Sequence, residues 1–173
     1  MIPRVAALYR YPVKGGTPEI CDSLTVLAEG RVAGDRALGF RFADSGLPDT
    51  AWSKKHGYAA LVNTPAIAQA AGDAGLSEQR FRSNIALEGV AAWAEDRWVG
   101  RRVRIGTIEF DVVRTKVRCL ATHANPVSGV FDLPVMQTLV RSFRQTQPTM
   151  AVALLTRGNG GEIATGDPVT PLD

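Results

Sequence analysis

Apolar residues in this chain come in short runs cut off by glycine or proline, and that punctuation is the strongest constraint on its fold. Runs of four to seven residues with period-two alternation read as strands. Val5 to Tyr11 is one, closed by Pro12. Leu24 to Leu27 precedes the turn around Gly30, and Ala37 to Phe42 alternates before the loop DSGLPDT. Ile85 to Leu87 is short and apolar. In VRIGTIEFDVV, Val103, Ile105, Ile108, Phe110 and Val112 alternate, with a phase shift at Gly106-Thr107 that predicts a hairpin or a bulged strand. Met150 to Leu155 and Glu162 to Ala164 flank TRGNGG, which predicts a second hairpin. The sequence holds 17 glycines and 10 prolines in 173 residues, enough to end this many elements.

Helical signals are fewer. Thr64 before Pro65 predicts an N-cap and a short helix to Ala71. Gly89 to Asp96 has room for one or two turns. Leu133 to Gln145 carries the clearest helical stripe, with Leu133, Met136, Leu139, Val140 and Phe143 on one face, as core packing requires. The prediction is a mainly β single domain, a barrel or sandwich with a few short helices.

Charge and cysteine usage narrow the function. A net charge of +3 without dense basic runs suits an anionic small molecule and not nucleic acid. No stretch is long and apolar enough to span a membrane, and the N-terminus does not read as a signal peptide. The expected compartment is the cytoplasm, with Cys21 and Cys119 as thiols.

Four fragments carry candidate chemistry. Cys119-x-x-x-His123 has chelating spacing only on a helix; on a strand the two lie about 13 Å apart at roughly 3.3 Å per residue. A Cys-His nucleophile pair would need His56 as base. Arg114, Lys116 and Arg118 could favour a Cys119 thiolate, although on a regular strand they point away from it. VKGGT pairs Lys14 with the free backbone of Gly15-Gly16, which either holds an oxyanion or is an ordinary turn. Arg36 of GDR and Arg82 of FRSN are fork donors suited to phosphate. Asn84 can read an amide or pterin edge, and Asp35 can bond to Arg36 or to a turn N–H.

In their order, YPVKGG, GDRALGF, FRSNIALEG, VRCLATHANPVSG and a terminal GDPV resemble the MOSC domain proteins, found in molybdenum-cofactor sulfurases and in the mitochondrial amidoxime-reducing component. The resemblance runs over nearly the whole chain. Residues 81–170 are the most family-like, and 1–60 match a shortened N-terminal β segment.

It implies a MOSC-type β-barrel and a molybdenum cofactor (molybdopterin). Cys119 would be the ligand to molybdenum, a soft thiolate suited to a metal already held by dithiolene sulfurs. It also implies that Lys14, Arg36, Arg82 and Asn84 hold the pyranopterin and its phosphate, with Arg118 and Thr122 beside the metal cysteine. The activity implied is two-electron reduction of an N-hydroxylated or similar small substrate, fed by a separate electron donor. Two alternatives stand beside it. One is a sulfur carrier with a Cys119 persulfide, loaded by a pyridoxal-phosphate cysteine desulfurase. The other is a non-catalytic cofactor carrier.

Overall fold

In a computed structural model, residues 2–38, 59–63, 69 and 76–172 are described. Among these residues ten strands form in chain order: β1 (Arg4–Arg10), β2 (Glu19–Cys21), β3 (Ser23–Val26), β4 (Ala59–Asn63), β5 (Ile85–Glu88), β6 (Arg102–Ile105), β7 (Ile108–Val117), β8 (Thr149–Arg157), β9 (Gly161–Ala164) and β10 (Val169–Leu172). A single α-helix among the described elements, α1, spans Val135–Ser142, and short 3-10 turns cover Glu78–Phe81, Ala94–Trp98 and Leu120–His123. The mainly β expectation therefore holds.

Eight strands form one sheet in the order β10-β6-β7-β8-β4-β5-β1-β2, and β3 pairs with β9 in a second. Among the described residues no ladder closes the large sheet into the expected barrel. Its curl nevertheless brings the start of β1 against the segment before β10. There an Arg4–Pro168 bridge forms, and Val5 N and Val169 N donate to Asp167 O and Pro3 O, each at 2.9 Å.

Over β8, β4 and β5 both faces of the large sheet are buried, alternate residues along each strand entering opposite sides. Leu8, Leu61, Ile85, Leu87 and Leu154 enter one cluster with β3, β9 and Trp98. Tyr9, Val62, Ala86 and Met150 face the other way, under Val135 and Leu139 of α1. The helix is shorter than predicted, and its buried face centres on Val135 and Leu139, while Val140 turns outward at 37% exposure.

VRIGTIEFDVV is a hairpin, with Ile105 opposite Ile108 across Gly106-Thr107. TRGNGG is not. Both edges of β8 are already occupied, by β7 and β4, so β9 leaves the sheet and pairs with β3. Three further strands escaped the sequence reading. β4 is buried on both faces beside its parallel neighbour β5 and so shows no alternation. β2 is only three residues long. β10 carries Pro171, which an edge strand tolerates. The strand predicted for Ala37 to Phe42 beyond Leu38, the helix from Thr64 to Ala71 apart from Gln69, and His56 lie outside the described residues.

A buried acid sits at the far end of β4. Glu95 is fully buried and accepts from Asn63 Nδ2 at 2.7 Å. Among the described residues, Glu95 Oε1 and Asn63 Oδ1 have no hydrogen-bond partner. Burial pushes the Glu95 carboxyl up to about 7. The folded chain then holds a proton that the unfolded chain has released above about pH 4.3, so stability falls as pH rises from there through 7. Glu95→Gln is expected to remove that loss. In urea titrations, the variant should gain on the wild type between pH 5 and pH 8; a constant difference would show that Glu95 is ionised in the fold.

Candidate functional site

At one end of the large sheet, four segments converge: the loop after β1, the 34–36 turn, the 78–84 segment and the end of β7 with its continuation to Asp132. Asp35 ties the first two, its Oδ1 accepting from Tyr11 N at 2.8 Å and its Oδ2 from Arg36. Both bonds anticipated for it form. Arg36 then donates to Arg82 O at 2.9 Å.

Ser77 caps the 78–81 turn through Gln79 N. Arg82, which ends the turn, takes a left-handed φ of 49°. That conformation sends its guanidinium back to Gly16 O and Val13 O on the Lys14 loop. Arg36 and Arg82 both lie over the buried Tyr11 ring, 5.3 and 4.3 Å from its centroid. Burial, then Arg36, lower the Arg82 pKa, so two like charges are held together on an aromatic shelf.

Arg118 joins the 78–84 segment to the sheet. It donates to Phe81 O at 2.8 Å, to Met150 O and to Lys116 O at 3.2 Å. Met150 precedes Ala151, which adopts φ 76° where the β7–β8 ladder slips register between Thr115 and Val117. The guanidinium thus binds a carbonyl at the β-bulge, and it also fixes the residue before Arg82. Burial drives its pKa down to about 10, opposed by the adjacent Cys119 sulfur.

Cys119 is exposed and stands at the N-cap of the 120–123 turn. The Cys119–His123 stretch is therefore a 3-10 turn, not the strand that its β-like flanks suggested. Its residues hold the turn itself: Thr122 Oγ1 donates to Cys119 O at 2.9 Å. His123 Nε2 accepts from Met136 N at the start of α1, at 3.2 Å. Among the described residues no three His, Cys, Asp or Glu side chains group as metal ligands.

The expected residues fall into two sets. Arg36, Arg82, Arg118 and Cys119 come together, with the exposed Lys14 on the loop that Arg82 grips. Asn84 is fully buried; its amide accepts from Ala60 N at 3.3 Å and donates to Tyr9 O at 3.1 Å. It stitches β1 to β4 at the base of the site, as Thr122 stitches the cysteine turn.

Arg80 escaped the sequence reading. It is buried, donates to His123 O at 3.1 Å and pairs with Asp132 at 2.8 Å, which holds the Asp132 carboxyl down at about 2. Only its place two residues before Arg82 could have marked it.

A cleft of about 440 Å³ opens between these segments, lined by Gly15, Gly16, Arg80, Arg82, Ala121 and Phe131 among others. It begins two residues beyond Cys119. A soft sulfur donor, fork cations and exposed glycine backbone make a donor set that fits a metal-dithiolene group carrying a phosphate.

Comparison with known proteins agrees with this geometry. The MOSC domain model matches residues 58–170. Mitochondrial amidoxime-reducing component 1 of Mus musculus is 32% identical over 98 residues, 51% of this chain and 28% of that protein. Mitochondrial amidoxime reducing component 2 of Homo sapiens is 32% identical over 71 residues, 41% of this chain and 21% of that protein. The chain thus matches less than a third of the length of these relatives. Among solved structures, the YUAD protein from Bacillus subtilis superposes with a TM-score of 0.66 at 16% identity, covering 98% of this chain and 94% of that one. YiiM from Geobacillus stearothermophilus gives 0.63 at 12%, covering 99% and 75%.

Proposed function

The chain belongs to the MOSC domain family, and from that premise we propose that it binds a molybdenum cofactor through Cys119 and acts as a small oxidoreductase on N-hydroxylated or similar small substrates. The observation that carries this reading is the exposed Cys119 thiol beside Arg118, two residues along the chain from Ala121 of a cleft that Arg80 and Arg82 also line. The amidoxime-reducing components lend the reaction class by their similarity.

In this reading Cys119 holds the metal, and Lys14, Arg36 and Arg82 hold the phosphate by charge-assisted hydrogen bonds. Arg118 keeps the turn bearing Cys119 in register with the Arg82 loop. Asn84 and Thr122 act through the backbone they fix. The cofactor supplies the two-electron chemistry, and the protein supplies position and field. Electrons come from a separate donor protein. Among the described residues no helix is long and apolar enough to cross a membrane.

The exposure of Cys119 favours one second reading, a sulfur carrier. A cysteine desulfurase persulfide would pass its outer sulfur to the Cys119 thiolate, leaving a Cys119 persulfide and regenerating the donor thiolate. One experiment tests both readings. Protein purified from cofactor-producing cells is given a chemical reductant and an amidoxime, with Cys119→Ser alongside. We expect turnover in the wild type and a loss of at least 100-fold in the variant. Cyanide-labile sulfur on the wild type without turnover would favour the sulfur carrier; neither signal would leave both readings wrong.

A further inference from the structure

The 120–123 turn has a side that the cofactor cleft does not use. A 3-10 turn repeats about every three residues, so Leu120 and His123 share one face, and Ala121 and Ala124 share another. Ala121 and Ala124 line the cleft described above. Leu120 and His123 line a different pocket, of about 300 Å³. That pocket starts at the residue directly after Cys119, and the one turn contributes a wall to each cavity.

Helix α1 supplies the facing wall. Met136 and Val140 line the pocket and, four residues apart, lie on one side of the helix. Val135 and Leu139 beside them enter the core. The apolar stripe of α1 is thus wider than the core requires, and the excess lines this pocket. Pro148 adds a third wall. Hydrogen bonds fasten the walls. His123 Nε2 accepts from Met136 N at 3.2 Å, and Arg118 N, one residue before Cys119, donates to Pro148 O at 2.8 Å. The pocket is therefore preformed, as small-molecule sites generally are. It leaves Leu120 59% and Val140 37% exposed. Among the described residues no carboxylate lines it, and its one formal charge is the exposed Arg141. An ammonium entering it would lose water without gaining a counter-charge. An uncharged apolar group gains by the same step.

We infer that this pocket sets substrate specificity by taking a neutral aromatic or branched aliphatic tail, with the N-hydroxylated end of the same molecule at Cys119. Its assignment to substrate rests on the Cys119 reading above; its affinity for an uncharged apolar ring does not.

Two measurements on full-length protein from cofactor-producing cells test this. The first is kcat/KM, with a chemical reductant, for acetamidoxime, benzamidoxime and para-(aminomethyl)benzamidoxime, which differ only in the tail. Benzamidoxime should exceed acetamidoxime by about tenfold or more, and the ammonium of the third should cancel most of that gain. In Val140→Gln, a change at an exposed helix position, the preference should fall to roughly threefold or less, chiefly through a higher KM for benzamidoxime. Leu120→Gln serves if that variant does not fold. The second measurement is the amide NMR spectrum of isotope-labelled protein titrated with benzamide, which carries the ring without the reacting N–O bond. Saturable shifts at Leu120, His123, Met136 and Val140 are expected in the wild type, with affinity about tenfold weaker in Val140→Gln. Turnover with equal kcat/KM for benzamidoxime and acetamidoxime, a preference that Val140→Gln leaves intact, or no benzamide shifts at these residues would overturn the inference and leave the Cys119 reading standing. Shifts at these residues without turnover of any amidoxime would overturn the assignment to substrate together with the Cys119 reading, and keep the pocket as a site for apolar rings.

Discussion

Arg118→Met is expected to lower the unfolding free energy by about 4 kcal/mol, since each carbonyl left without its donor costs roughly 1–3 kcal/mol when buried. Two of the three carbonyls that Arg118 binds belong to the buried residues Phe81 and Met150. The Met150 carbonyl lies at a strained point, next to Ala151 at φ 76°, so its loss also releases the bulge. Methionine restores much of the aliphatic volume, which separates the lost hydrogen bonds from lost packing. Arg118→Lys should recover little, because an ammonium cannot reach carbonyls on a turn and on a strand together as a planar fork does. Urea unfolding of the three proteins, with proteolysis of the 78–84 segment, measures this. A loss below about 1 kcal/mol would mean that the carbonyls find water and that Arg118 does not hold the site together.

The second large effect belongs to Gly160. Its φ is 76°, and a Cβ built there would lie 2.1 Å from Val26 O and 2.9 Å from Leu27 C. Both atoms are backbone, at the end of β3, and neither can swing aside. Gly160→Ala should cost about 3 kcal/mol, the sum of a left-handed alanine at roughly 1–2 kcal/mol and overpacking at roughly 1–3 kcal/mol. Gly158 supplies the control. Its φ is 86°, but a Cβ there meets nothing within 4 Å. Gly158→Ala should therefore cost only the conformational part, about 1 kcal/mol. The difference between the two variants, read by thermal and urea unfolding, is the close approach of β9 to β3. Equal costs would contradict it.

Gly160 also explains why TRGNGG misled as a hairpin. The motif is a genuine turn, but whether two strands pair across it depends on whether an edge is free. β7 and β4 flank β8, a fact of long-range pairing that no local motif encodes. β6 and β7 show the opposite case: their alternation and the Gly106-Thr107 break contain all that their pairing needs. β4 was invisible because burial on both faces erases the alternation that marks a strand.

The candidate site divides in the same way. Residue type marked Arg36, Arg82, Arg118 and Cys119, since fork cations and an exposed soft thiol have few other uses in one place. Type could not tell a ligand-facing amide from a structural one, and the Asn84 side chain lies between Ala60 and Tyr9 within the sheet. Nor could sequence spacing reveal Arg80, whose partners His123 and Asp132 are more than 40 residues away. Asp35 was legible because both of its bonds are short-range or to a neighbouring turn. The family resemblance read from the motifs agrees with the MOSC domain match over residues 58–170.

The most direct test of the central claim is the molybdenum content of protein purified from cofactor-producing cells, wild type against Cys119→Ser, with circular dichroism showing both folded. The account predicts near-stoichiometric molybdenum in the wild type and its loss in the variant. Full molybdenum retention by the folded Cys119→Ser variant would contradict it.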